Sequence, residues 1–343
     1  MRPARLAALL FGITSACGPA APAESPDDEP RTSAPVVVLP RAGVPEFPLS
    51  GDFSAELIWS DGADLLVMSG WPRSVTKRLE RSGSTLDGRA PSRATDIAGR
   101  GVGVNADVII TGSDGETARL RNGAWDFGLA PALDGEDLAA VAFDPSGRAL
   151  FAGRHRALYI EQGDNWSVHP YPSSGVDAVD LVVAPDGTAY LIGAHARILA
   201  FSAGKFRDVP LSGLSGDAVS EPWEMAWLDP GSTQLWVVTR QVLVSVNPRT
   251  GVGSAHKMPF FTVEAMTGAS TPSGPVLVIA GSSEIVLFDG GTFDNVVNSP
   301  KTIRSIALDA EHAVLHIGAG DGLVHLPLKH PAFGAHHERR TPQ

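Results

Sequence analysis

Short apolar runs separated by tight turns fill the chain from about residue 53 to residue 328. Each unit has an apolar strand, a turn rich in Pro, Asp or Gly, a second apolar strand and a hairpin to a third. Proline presets φ for such turns, and glycine supplies positive φ. Two columns of residues mark seven units, about forty residues apart: Asp61, Asn105, Pro145, Pro185, Pro230, Pro272 and Ala310, and Gly70, Gly112, Gly153, Gly193, Thr239, Gly281 and Gly318.

Several of these strands are apolar on both faces, for example Ala189 to Ile192 and Val276 to Ile279. Such a strand must be covered on both sides. Four-stranded sheets stacked face to face around an axis provide that cover, and this arrangement is a β-propeller. The pattern therefore predicts an all-β fold: a seven-bladed β-propeller of four-stranded antiparallel blades, in one domain over residues 36–328.

The seventh unit has only three strands, because the apolar pattern stops after Leu326. The sequence Pro-Leu-Ser-Gly at residues 48–51 repeats at 210–213, where it follows a fourth strand. We therefore predict that a strand from residues 36–49 closes the last blade. The alternative is that residues 36–52 belong to an N-terminal tether.

The period and strand order resemble those of seven-bladed propellers of the WD-repeat and related bacterial periplasmic kinds, over about 290 residues. The resemblance implies the fold and no specific family, since no repeated blade signature accompanies it.

The N-terminus has the layout of an export signal. A cationic start at Arg2 and Arg5 precedes an apolar run from Leu6 to Ile13 and then small residues. This is the pattern of a secretory signal peptide. The run is shorter than the roughly 20 residues that span a bilayer. Residues 1–16 are therefore predicted to be a signal peptide.

Cys17, the single cysteine, stands where the signal would be cut. The segment resembles the lipobox of bacterial lipoproteins, although Thr14 stands where Leu is commoner. The resemblance implies that Cys17 is acylated and becomes the mature N-terminus. Gly18, rather than an acidic residue, is similar to the outer-membrane-destined class. We expect an exported protein, lipid-anchored in the bacterial cell envelope at the outer membrane; the alternative is a plain secretory signal with an incidental cysteine.

Both ends of the chain lack the pattern of a folded domain. Residues 17–35 are small, polar or proline, and such a segment cannot offset its ordering entropy by burial. They are predicted to form the lipidated cysteine and a disordered tether. Residues 329–343 contain a basic run and are predicted to be a flexible tail.

Composition excludes several classes of protein. Gly (37), Pro (27) and a charged fraction of 19% argue against a helical bundle. A hydrophobic fraction of 43% excludes wholesale disorder. One cysteine excludes an internal disulfide framework. A net charge of −11 argues against nucleic acid as a partner.

The predicted loops between second and third strands, together with those entering each first strand, lie on one face of the ring. We expect this face to bind an envelope protein or a glycan, without cofactor. No convergent catalytic set is found, and no Gly-x-Ser-x-Gly motif occurs. The candidate contact residues follow from the enrichment of Trp and Arg at binding hot spots and from two hairpin histidines: Trp71, Arg73, His155, His195, Trp223 and Arg240. For the two tryptophans, burial between blades is the alternative to exposure.

An alternative places a metal at the channel mouth. Glu56, Asp180 and Glu224 lie near the starts of predicted innermost strands, and carboxylates suit Ca²⁺. This resembles calcium-dependent propeller lactonases, with Glu56 and Trp59 similar to their opening motif but one residue closer together. The resemblance implies a calcium-dependent hydrolase.

Overall fold

A computed structural model describes residues 55–333 with short gaps. The described ranges are 55–60, 64–69, 75–80, 85–91, 93–101, 105–129, 135–172, 176–231, 234–260, 262–298, 302–320, 322–328 and 333.

The first four sheets follow one another along the chain. The first contains β1 (Leu57–Ser60), β2 (Asp64–Ser69), β3 (Val75–Glu80) and β4 (Thr85–Arg89). The second contains β5 (Ala94–Arg100), β6 (Asp107–Gly112), β7 (Glu116–Arg121) and β8 (Ala124–Leu129). The third contains β9 (Leu138–Phe143), β10 (Ala149–Gly153), β11 (Ala157–Gln162) and β12 (Asn165–Pro170). The fourth contains β13 (Ala178–Val183), β14 (Ala189–Gly193), β15 (Arg197–Ser202) and β16 (Lys205–Asp208).

Three more sheets complete the order. The fifth contains β17 (Met225–Leu228), β18 (Leu235–Val238), β19 (Val242–Val246) and β20 (Gly253–Lys257). The sixth contains β21 (Ala265–Thr271), β22 (Gly274–Ala280), β23 (Glu284–Phe288) and β24 (Phe293–Asn298). The seventh contains β25 (Ile303–Asp309), β26 (Val314–Ala319) and β27 (Gly322–Pro327). Every pairing is antiparallel between consecutive strands, as in a propeller blade.

The innermost strand of each sheet packs against that of the next sheet, and β25 packs against β1. The sheets therefore form a closed ring. We call the boundary between two adjacent blades a seam. A main-chain hydrogen bond recurs at these seams: a residue at or just before an innermost strand donates its N–H to a carbonyl at the hairpin between the second and third strands of the preceding sheet. The four examples are Ala178 to Arg154, Trp223 to Ala194, Ile303 to Ser282, and Ala55 to Ala319. The last example closes the ring in the same way as the others.

The predicted all-β propeller of four-stranded antiparallel sheets is confirmed. Among the described residues, six blades have four strands and the seventh sheet has three, as the sequence predicts for its last unit without the closing strand. The predicted closing strand at residues 36–49 lies outside the described residues, as do residues 1–35 with Cys17 and most of the C-terminal tail. Ala55 contacts the seventh sheet, so the chain enters the first blade from the side of the last.

The hydrophobic core lies between adjacent blades. Tyr190 and Ile192 of the fourth sheet pack in one cluster with Leu235 and Val237 of the fifth. This packing explains why the second strands are apolar on both faces. Near the axis, Trp59 of β1 lies so close to Gly99 of β5 that any Cβ on Gly99 would overlap the indole ring.

The helical elements of the described chain are short. They are α1 (Asp217–Ser220), between the fourth and fifth sheets, and a 3-10 turn at Ser113–Gly115. In the part of the chain that the structure describes, no helix has the length and apolar character needed to cross a membrane.

Candidate functional site

Hairpins from second to third strands and the starts of the innermost strands lie at the same end of the ring, because strand direction alternates within each sheet. We call this end the mouth face, defined by the exposed residues His155, His195 and Arg240 together with Glu224 at the start of β17. It is the face on which the sequence analysis places a binding site.

A cavity of about 460 Å³ lies at the axis of the ring. Its wall is formed by the innermost strands, and its polar lining combines four carboxylates with one guanidinium group. Its polar lining includes Thr95, Asp96, Asp180, Glu224, Glu264, Arg304 and Ser305. This volume is within the range of small-ligand sites.

Two of these carboxylates form the same arrangement in alternate blades. Asp96 of β5 accepts the backbone N–H of Ile97 at 2.7 Å and that of Val141, in the next blade, at 2.8 Å. Asp180 of β13 accepts the N–H of Leu181 at 2.6 Å and that of Ala226, in the next blade, at 2.6 Å. Each carboxylate therefore joins the innermost strands of two blades.

The environment of this pair disfavours two negative charges. The side chains are partly exposed toward the cavity, and burial in its wall raises the pKa of both Asp96 and Asp180. The charge of Asp180 raises the pKa of Asp96 further. Because both oxygens of each group already accept backbone hydrogen bonds, their role is to fix the blades. Asp96 is not among the residues predicted from the sequence, although it lies near the start of an innermost strand, as Asp180 does.

The other charges of the cavity mouth interact with neighbouring side chains. Arg240 donates from Nε to Glu224 Oε1 at 3.4 Å, and the Ser282 hydroxyl donates to Glu264 Oε1 at 3.0 Å. Arg304 is exposed at the start of β25. The mouth is therefore mixed in charge rather than uniformly acidic.

His155 stands on a hairpin that a buried glutamate organises. Glu136 accepts the backbone N–H groups of His155 at 3.0 Å and Arg156 at 2.7 Å, and the hydroxyl of Tyr159 at 2.5 Å. Burial, together with hydrogen bonding to Glu136, raises the pKa of Tyr159. Glu136 could not be predicted from the sequence, because nothing local distinguishes a loop glutamate that accepts hydrogen bonds from a hairpin 19 residues later.

Some of the predicted contact residues are exposed on the mouth face, and others are not. His155, His195 and Arg240 are exposed on the mouth face. The His155 Nδ1 lies 3.7 Å from Asp177 Oδ1, so the imidazole interacts with a carboxylate. Trp71 and Arg73 fall outside the described residues.

Trp223, for which the sequence leaves exposure and burial between blades open, is buried. Its side chain is only 1% exposed, and its Nε1 donates to the Ala218 carbonyl at 2.9 Å. The indole packs under α1 in the core between the fourth and fifth blades. It therefore shapes the mouth face without being part of its surface.

The three carboxylates of the metal alternative do not form one site. Asp180 and Glu224 line the cavity, whereas Glu56 is not part of its wall. Asp180 is engaged by two backbone N–H groups, and Glu224 by Arg240. Across the described ranges, no group of three or more His, Cys, Asp or Glu residues is placed to hold a metal ion.

Fold and site together define an all-β propeller with a mixed-charge cavity at its mouth. No protein-family model matches the chain, and no curated protein matches it in sequence.

Solved structures match the fold. Virginiamycin B lyase from Staphylococcus aureus has a TM-score of 0.67 at 12% identity, covering 80% of this chain and 95% of the lyase. The WD40 β-propeller domain of Doa1 has a TM-score of 0.64 at 12% identity, covering 82% and 95%. The extracellular domain of a putative one-component system from B. thetaiotaomicron has a TM-score of 0.61 at 10% identity, covering 81% and 42%. Identities this low show a shared fold alone.

Proposed function

We propose that this protein is a lipid-anchored binding module of the bacterial cell envelope that holds a protein partner on its mouth face. The observation that carries the proposal is a fixed, exposed set of charged side chains around the cavity mouth. A rigid ring that presents loop residues is a common way to build a binding surface.

Preorganisation supports this role. Glu136 fixes the backbone of the hairpin carrying His155 by accepting two of its N–H groups. The carbonyl of Arg154 in the same hairpin accepts the N–H of Ala178 at 2.8 Å. The surface therefore loses little conformational entropy when it binds, which favours affinity.

The charges favour a protein over a glycan as the partner. The ion pair of Arg240 with Glu224 and the exposed Arg304 bring both signs of charge to the mouth, and the His155 imidazole lies beside Asp177. Such rim charges accelerate association and exclude partners of the wrong pattern. The fold is shared with a WD40 domain and with the extracellular domain of a putative one-component system, which is compatible with a binding role outside the cytoplasm.

Site-specific photo-crosslinking in living cells tests the binding role. A crosslinking amino acid at His155, His195 or Arg240 should give one discrete protein adduct. The matched controls are Asp164 and Ala203, in exposed turns at the opposite end of the third and fourth blades, and they should give none. Equal adducts from both ends, or adducts that carry glycan instead of protein, would contradict the proposal.

The anchor is tested separately. The wild-type protein should incorporate a fatty-acid probe and fractionate with the outer membrane. The Cys17→Ser variant should lose the label and become soluble after export. Lipid incorporation by Cys17→Ser would refute the assignment of the anchor to this residue.

A further inference from the structure

A cluster of arginines lies at the end of the second blade away from the mouth face. Its centre is Asp107, the buried first residue of β6. The Asp107 carboxylate accepts two hydrogen bonds from Arg119, from Nε at 2.7 Å and from Nη2 at 2.8 Å. Arg119 Nη1 also donates to Glu161 Oε1, on β11 of the next blade, at 2.6 Å. Arg119 is thus held by two carboxylates.

Two more arginines surround the same carboxylate. Arg121 donates to Asp107 Oδ2 from Nη2 at 3.0 Å and from Nε at 3.2 Å, and Arg100 donates to it from Nη2 at 3.3 Å. One oxygen therefore receives hydrogen bonds from three guanidinium groups. The Arg121 and Arg100 side chains are 47% and 45% exposed, so they form the solvent side of the cluster.

The cluster has more positive charge and more donors than its own carboxylates require. Burial opposes ionisation of Asp107, but hydrogen bonds and charge from Arg119 and Arg121 lower its pKa below the usual range. Three guanidinium groups face two carboxylates, an excess of one positive charge in a protein of net charge −11. A guanidinium group has five N–H donors, of which Arg100 and Arg121 use few.

The outer guanidinium groups are held in place. Arg100 lies over the Phe143 ring, 5.3 Å from its centroid, and against Gly147, where a Cβ would overlap the guanidinium group. Among the residues that the structure describes, Arg100 and Arg121 have no carboxylate other than Asp107 within salt-bridge distance. Arg119 alone already satisfies both Asp107 oxygens, so the outer pair is not needed to neutralise this buried charge.

We propose that Arg100 and Arg121 form an oxyanion-binding site, which takes a phosphate, sulfate or carboxylate group of a ligand. Paired guanidinium groups match the oxygens of such anions and give charge-assisted hydrogen bonds. Asp107 orients the two arginines from beneath. The site is at the far end of β5 from Asp96, about 13 Å along the strand, so it is independent of the mouth face.

Isothermal titration with sodium phosphate, sulfate and acetate, at ionic strength held constant with NaCl, tests the site. Wild-type protein should show saturable binding of one anion per chain. The double variant Arg100→Gln/Arg121→Gln should bind at least tenfold more weakly. The control is Arg249→Gln, because Arg249 is similarly exposed and contacts a single carboxylate, that of Asp186, at 3.4 Å. Circular dichroism and thermal melting establish that each variant is folded.

The outcomes separate the sources of the oxyanion. Binding of phosphate and sulfate without acetate assigns a tetrahedral anion, and binding of acetate alone assigns a carboxylate. Absence of saturable binding for all three anions, or equal affinity in the double variant and the control, overturns the proposal. Neither result bears on the photo-crosslinking test of the mouth face.

Discussion

Acid should loosen the seventh sheet through His316. This residue is in the middle of β26, and its Nδ1 lies 2.6 Å from the Nδ1 of His325 on the paired strand β27. The two rings are edge to face, with centroids 4.8 Å apart. Burial lowers the pKa of His316 from 6.5 to about 4, although the charge of Asp309 opposes the change. Protonation of the imidazole is therefore unfavourable in the folded protein.

The sign and size of the effect follow from linkage. The unfolded chain binds a proton near pH 6.5, whereas the folded chain does so only near pH 4. Stability is therefore fully present above pH 6.5 and is lost as the pH falls toward 4. The difference between the two pKa values corresponds to a loss of about 3 kcal/mol.

Urea unfolding, followed by tryptophan fluorescence between pH 7.5 and pH 4, measures this loss. His316→Phe removes the titrating group, and its packing cost is the same at every pH. The difference in unfolding free energy between wild type and His316→Phe should therefore change by about 3 kcal/mol across this range. His195→Gln, at an exposed histidine, serves as control. Parallel pH profiles for wild type and His316→Phe would refute the reasoning.

Three further predictions concern the stability of the ring, through packing, hydrogen bonding and the closing strand. Gly99→Ala should destabilise the protein by about 1–3 kcal/mol in urea unfolding, because its Cβ overlaps Trp59; Gly128→Ala, with open space around its Cβ, should change stability by less than about 0.5 kcal/mol. Glu136→Ala should lower the unfolding free energy measured in urea by about 1–3 kcal/mol, because it leaves the N–H groups of the hairpin without an acceptor. Glu136→Gln should lower it less, because its amide oxygen can still accept a hydrogen bond. If a fourth strand from residues 36–49 pairs with β27, a chain beginning at residue 36 should have an unfolding free energy about 2 kcal/mol or more above that of a chain beginning at residue 53. Equal unfolding free energies would contradict that pairing.

The fold could be predicted because its signals are local. Gly147 and Gly187 lie in predicted turns and adopt φ of 86° and 84°, conformations that favour glycine. The strands between such turns are apolar on both faces because each blade is covered by two others. Neither signal requires knowledge of which residues meet across the ring.

The site could be predicted only in outline, because its contacts join distant parts of the chain. Arg119 meets Glu161 across 42 residues, and Asp96 meets Val141 across 45. Whether Trp223 is exposed or buried could not be predicted, because its burial depends on α1, a helix of four residues that leaves no periodic pattern. The hairpin positions of His155 and Arg240 could be predicted because they follow directly from the repeat.

The polar groups of the propeller fall into two classes: those that form a hydrogen bond across a seam to the next blade, and those that do not. Asp96, Asp180 and Arg119 each form a hydrogen bond to the next blade, so their polar groups already hold the ring together. Arg100 and Arg121 form ion pairs only within their own blade and are about half exposed, although Arg100 also packs on Phe143 of the next blade. A ligand at either end therefore need not break a seam, and the two ends can be occupied together. Oxyanion affinity should accordingly be the same before and after a partner is crosslinked to the mouth face, and a change in affinity would mean that the ring transmits strain between its ends.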